Sequence, residues 1–187
     1  KKSSLLRSAF STVNTNLSPA IDVEKATSYV INNLVNNVST GETSTSGGDA
    51  AARYITRRVT LTENQTAEDL NVFLTAYKPD KTNIKVYYKI LNSLDSDDFD
   101  DKSYVEMSQN TNVGVNSVEK KLDDFIEYKY VIASANKTGT NGEVTYTNAA
   151  GSTFTGFNTF ALKIVMLSST DVVVPQIRDM RAIALQI

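Results

Sequence analysis

The sequence predicts an all-β fold, an antiparallel β-sandwich of jelly-roll type with an extended N-terminal arm. Three observations carry this. Apolar residues alternate with polar ones in several separate runs, the period of a strand with one face in a core. Loops rich in Gly, Asn, Ser and Asp divide those runs. The length of 187 residues suits one sandwich, or one domain plus an arm. Roughly seven to nine strands of this kind fit a double-sheet jelly roll, with a Greek-key barrel as the alternative arrangement.

Taken in order, residues 1–37 read as an N-terminal arm with a first strand, and 38–187 as the sandwich. In the arm, Leu5, Leu6, Phe10, Val13, Leu17 and Ile21 are spread thinly among Ser, Thr and Asn. Such a piece buries too little apolar surface to order itself alone, so residues 1 to about 15 are expected on another chain and Leu17 to Asp22 on the domain's own sheet. Pro19 confines that piece to a sheet edge or bend. Asp22 to Asn33 is ambiguous between helix and strand and leans towards an extended segment. Ser39–Asp49, with Gly41, Gly47 and Gly48, reads as a flexible surface loop.

Arg53 to Leu91 is the most regular stretch. Leu70, Val72, Leu74 and Ala76 point one way, as do Ile84, Val86, Tyr88 and Ile90 in the next run. Pro79, Asp80 and Asn83 lie between them, which predicts an antiparallel hairpin in mid-sheet. Ile126, Tyr128, Tyr130 and Ile132 alternate in the same way. Lys137 to Phe157 is expected to be a long loop with a small hairpin around Asn141-Gly142. Phe160, Leu162, Ile164 and Met166 share one face, and a last strand follows Pro175.

Composition removes whole classes of chemistry. The chain has no Cys, no His and no Trp. That excludes disulfides, Cys/His zinc sites, and Ser or Cys nucleophiles driven by a His base. A net charge of -2 gives no electrostatic reason to expect nucleic acid or an anionic membrane. No apolar run approaches the roughly 18 residues of a membrane helix, and no signal-peptide pattern is visible.

Each candidate site has a plainer reading. Asp95, Asp97, Asp98, Asp100 and Asp101 supply hard oxygen ligands of the kind calcium takes. Counted as an EF-hand from Asp95, however, the turn glycine is missing, and a solvated turn is the simpler account. No local signature marks the two carboxylates, roughly 5 to 10 Å apart, of a glycosidase. Gly47-Gly48 lacks the Lys and helix start of a phosphate-binding loop. Tyr54, Phe73, Tyr77, Tyr87 and Tyr88 are sugar platforms on one reading, and core or subunit contacts on the other. Arg53, Arg57 and Arg58 form a small basic cluster, read as strand solvation or pairing with the acidic loop. No catalytic residue, metal ligand or cofactor site is assigned, and the chain is not expected to be an enzyme.

Several segments then occur in a fixed order: Leu17-Ser-Pro-Ala-Ile-Asp, Ala52-Arg-Tyr-Ile-Thr-Arg-Arg-Val-Thr-Leu, Glu68-Asp-Leu, Leu74-Thr-Ala-Tyr-Lys-Pro, Ile84-Lys-Val-Tyr-Tyr-Lys, Phe99-Asp-Asp, Phe160-Ala-Leu-Lys-Ile-Val and Val174-Pro-Gln-Ile-Arg-Asp-Met-Arg-Ala-Ile-Ala-Leu. Together, from Val13 to Leu185, they resemble a domain of large virion structural proteins of T4-like contractile-tailed phages, especially those of marine bacteria and cyanobacteria. The resemblance implies a place in the tail or baseplate, as a wedge component, with other virion proteins or copies of the same chain as partners. It carries no catalytic residues, and it implies one domain of a longer chain. A carbohydrate-binding module of a host-recognition tail protein, with a glycan as ligand, is the alternative from another class.

Overall fold

A computed structural model describes residues 35–170 and 173–187. The expectations for the arm, for Leu17 to Asp22 and for the segment up to Asn33 lie outside the described residues. The strands are β1 (Ala52–Ile55), β2 (Val59–Thr60), β3 (Asp69–Tyr77), β4 (Thr82–Leu91), β5 (Val105–Glu106), β6 (Ser108–Gln109), β7 (Ile126–Val131), β8 (Thr145–Thr147), β9 (Thr153–Thr155), β10 (Thr159–Ser168) and β11 (Gln176–Leu185). One sheet runs β1-β10-β4-β5, with β2 also on β10, and the other runs β11-β3-β7-β6. Every strand pairing is antiparallel. The antiparallel sandwich is therefore present; the jelly-roll order remains an expectation from strand count.

The expected hairpin of β3 and β4 does not form. β3 pairs with β11 and β7, whereas β4 pairs with β10 and β5. The turn at Lys78–Lys81, with Lys81 at φ 66, carries the chain from one sheet to the other. The two strands face each other across the core instead of lying side by side. Both arrangements need the same period-two pattern, because each strand buries every second residue either way. The pattern therefore located the strands but not their partners. The core is what it specified: Leu70, Val72, Leu74 and Ala76 are wholly buried against Val86, Tyr88, Leu162 and Ile164.

Tyrosines add direction to this packing. The Tyr130 hydroxyl donates to the Ile84 carbonyl of the facing sheet at 3.0 Å, and Tyr128 donates to the Val115 carbonyl at 3.0 Å. Each buried ring keeps a partner for its polar tip. On one side the sandwich is closed by the chain itself. β5 lies on β4, β6 lies on β7, and buried Met107 between them bonds the Val86 carbonyl through its amide at 2.8 Å.

The other face of β10 is also buried. Ala161, Lys163, Val165 and Leu167 all lie under cover, with Tyr87, Tyr104 and Ala50. The cover is the segment read as a flexible loop. The Asn36 carbonyl accepts the Ser168 amide at 3.0 Å, Asp49 and Thr40 are bonded at 3.0 Å, and the Thr43 carbonyl accepts the Tyr104 amide at 2.9 Å. The polar composition misled because its key side chain, Glu42, is buried. The small hairpin is β8–β9, closed at Asn148–Ser152; Asn141-Gly142 makes only a tight turn just before it.

If β3 and β4 meet across the core, an Asp in either strand strands a charge between the sheets. Leu74→Asp and Val86→Asp should each cost several kcal/mol, a large part of an ordinary domain's stability. Thermal melting checks this, and an unchanged midpoint would place the strand at the periphery.

Candidate functional site

Three places gather polar or exposed apolar side chains. The first is the outer face of β10 and β4. Lys163, on β10, is fully buried, and its Nζ lies 3.0 Å from Glu42 Oε2. The same ammonium donates to the Glu42 carbonyl. It also sits over the rings of Tyr104 at 4.5 Å and Tyr87 at 4.8 Å. Glu42 Oε1 accepts the Ala50 amide at 2.9 Å. Burial alone would raise the Glu42 carboxyl, but the Ala50 amide and the Lys163 ammonium outweigh it and hold the carboxyl below its ordinary value. Gly48 leaves the room this carboxylate occupies: a Cβ on it would meet Glu42 Oε1 at 2.2 Å and force the carboxylate to shift.

The arrangement continues along the sheet. Lys89 Nζ reaches the Asp100 carbonyl at 3.1 Å and lies over Tyr104 at 4.7 Å and Phe99 at 5.5 Å. Burial lowers its pKa. Arg58 covers the Phe99 ring at 5.5 Å. Cations and rings thus alternate from Arg58 to Tyr87, each contact contributing about 0.5–2 kcal/mol. Of the basic cluster, Arg58 joins this row, Arg53 donates to the Gly48 carbonyl and Arg57 is exposed. None of the three pairs with an acidic-loop carboxylate among the described residues.

The second place is the acidic loop. The Asp95 side chain is fully buried, and its carboxylate accepts four donors: Lys102 Nζ at 2.6 Å, the Tyr146 hydroxyl at 2.8 Å, Asn148 Nδ2 at 3.1 Å and the Asp97 amide at 3.1 Å. Lys102 also reaches Asp97 Oδ2 at 2.7 Å. Its ammonium stands between the two carboxylates where a cation ligand set would converge. The loop is thus a tied hub joining β4 to the β8–β9 hairpin rather than the solvated turn of the plainer reading. Among the described residues no cluster of three or more acidic side chains is arranged to hold a metal ion. Burial alone would raise the Asp95 carboxyl, but Lys102 and the other donors hold it far below the usual carboxylate range.

Beside this hub lies a cleft of about 400 Å³ lined by Tyr88, Asp97, Asp101, Lys102, Tyr146 and Asn148. A sugar would stack on an open ring face. Tyr146 has Lys102 at 5.0 Å over its ring and Phe154 stacked at 5.7 Å, and Tyr88 is buried. The other aromatics singled out in the sequence are spread over the molecule. Phe73 lies under Arg181 and Lys129, Tyr77 packs on Phe125, and Tyr87 faces Lys163.

The third place is the open side of the sandwich, where β1 and β11 are the edges of their sheets. Between them runs a groove of about 580 Å³ lined by Tyr54, Ile164, Met166, Ile177 and Met180, among others. Tyr54 is 54% exposed, and Ile55 beside it on β1 and Ile183 and Leu185 on β11 are exposed as well. Among the described residues no strand covers either edge. The sequence signalled none of this, since an edge strand and an interior strand share one alternation.

Comparison with known proteins returned nothing: no family model, curated protein or solved structure matches the chain.

Two outcomes test the charge networks. Lys163→Met leaves Glu42 buried without its ammonium and should cost about 3–5 kcal/mol, with much of the loss recovered in Lys163→Met/Glu42→Gln; urea unfolding measures both. The second concerns acid. The Asp95 carboxyl is depressed in the folded state from its ordinary 3.8, so the unfolded chain takes up the proton first. Its contribution is complete above about pH 4 and is lost as pH falls from there through the folded-state value. Below about pH 4 the melting temperature of the wild type should therefore fall more steeply than that of Asp95→Asn, and parallel curves would mean the carboxylate is not held as described.

Proposed function

We propose that this chain is a structural domain of a contractile phage tail or baseplate, held among virion neighbours by protein–protein contacts and without catalysis of its own. The observation that carries the reading is the open side of the sandwich. Two edge strands there leave main-chain groups uncovered among the described residues and expose large apolar side chains, whereas the opposite side is shut by the β5–β6 crossing. A strand or arm added to such an edge gains main-chain hydrogen bonds without a deep pocket. The ordered segments from Leu17 to Leu185 that resemble tail structural proteins supply the setting. The closed charge networks agree with a mechanical role: among the described residues no buried side-chain polar atom lacks a partner. A domain so tied keeps its shape under load.

Antibody against the chain should decorate the tail or baseplate of contractile-tailed particles in electron microscopy. Tyr54→Glu/Ile183→Glu, on the exposed edges, should leave melting unchanged yet deplete the protein from purified particles. Decoration of no particle, or full incorporation of the variant, would set the reading aside.

A further inference from the structure

We infer that the open side pairs with the open side of a second copy, β11 against β11, antiparallel about a two-fold axis at Met180. This rests on the reading of that side as a contact surface and names its partner. β11 has no strand on its outer edge among the described residues. A bulge interrupts its register with β3 between Ile177 and Asp179, and the ladder then runs regularly from Asp179 to Leu185. Asp179 and Arg181 are both exposed and flank Met180, which lines the groove.

Charge selects the register. With Met180 opposite Met180 of the second copy, Asp179 falls opposite Arg181 of the second copy, and Arg181 opposite its Asp179. Both pairs are of opposite sign, the arrangement that stabilises cross-strand neighbours. Centring on Ala182 instead would set Asp179 against Leu185 and Arg181 against Ile183, leaving Asp179 with no cation opposite it and Arg181 with only Glu127 of its own chain, 3.1 Å away. The Met180-centred pairing runs from Arg178 to Ala182 and ends at the bulge. The same two-fold brings each copy's groove, with Tyr54, Ile177 and Met180, towards the other's. A self-complementary patch of this kind is what a two-fold contact requires.

A cysteine at the axis tests this directly, because the chain has no Cys of its own. Directly opposed antiparallel residues stand about 4.5 or 5.5 Å apart between Cα atoms, within disulfide reach. Met180→Cys should form a disulfide-linked dimer under mild oxidation, while Leu94→Cys, at an 84% exposed position, should remain largely monomeric. Sedimentation of the unmodified chain should show a concentration-dependent dimer. Asp179→Arg should weaken that dimer by about tenfold or more with melting unchanged, and Asp179→Arg/Arg181→Asp should restore it when Glu127→Gln removes the carboxylate that Arg181 pairs with at 3.1 Å. A chain monomeric at about 1 mM, equal cross-linking at positions 180 and 94, or no rescue by the charge exchange would each overturn the pairing. If the chain stays monomeric while Tyr54→Glu/Ile183→Glu still fails to enter particles, the open side meets a different virion protein and only the self-pairing falls. If the dimer forms but no particle takes up antibody, the virion reading fails and the pairing stands.

Discussion

The ammonium of Lys163 must be neutralised where it sits, and much of one sheet is arranged around that need. A lone charge in a core costs several kcal/mol even after relaxation. Glu42 answers it with a carboxylate, and reaches it only because 35–50 folds back across β10 and Gly48 leaves room for the carboxylate. The fold-back then covers Val165 and Leu167, and Tyr87 and Tyr104 close around the pair. Strand β10 thereby loses its solvent face and β4 loses it at Tyr87, so the domain has a second, smaller core outside the sandwich proper.

That layering explains what was legible in the sequence. Alternation in β3, β4, β7 and β10 located the strands and the core residues, because burial on one face is a local property. Partner choice is not local: β3 and β4 carry the hairpin pattern yet belong to different sheets. The second core had one local signal. Phe160 to Leu167 is apolar at every position except Lys163, the pattern of a strand buried on both faces. Nothing in the Gly- and Ser-rich segment before it marked Glu42 as the counter-charge, since the two are joined only by folding.

The acidic loop teaches the same lesson from the other side. Its composition suggested ligands for a cation, and the cation it holds is Lys102, seven residues after Asp95. Tyr146 and Asn148, far along the chain, complete the cage. A run of like charges was readable in one dimension; its neutralisation needed a hairpin that the sequence placed a few residues too early. The open side was least legible, because edges are defined by what does not follow in space.

The crossing at Met107 has a consequence for growth. β5 and β6 are two-residue strands, one at the end of each sheet. Edges so short offer little template for an incoming strand. A sandwich with two long edges is a monomer for polymerisation, adding units at both ends. Here, among the described residues, the long edge strand with no outer partner is β11, at one end only, so on the pairing inferred above lateral addition terminates after one step. On that pairing edge-to-edge association is self-limiting: two copies consume each other's long edge and present only the short one.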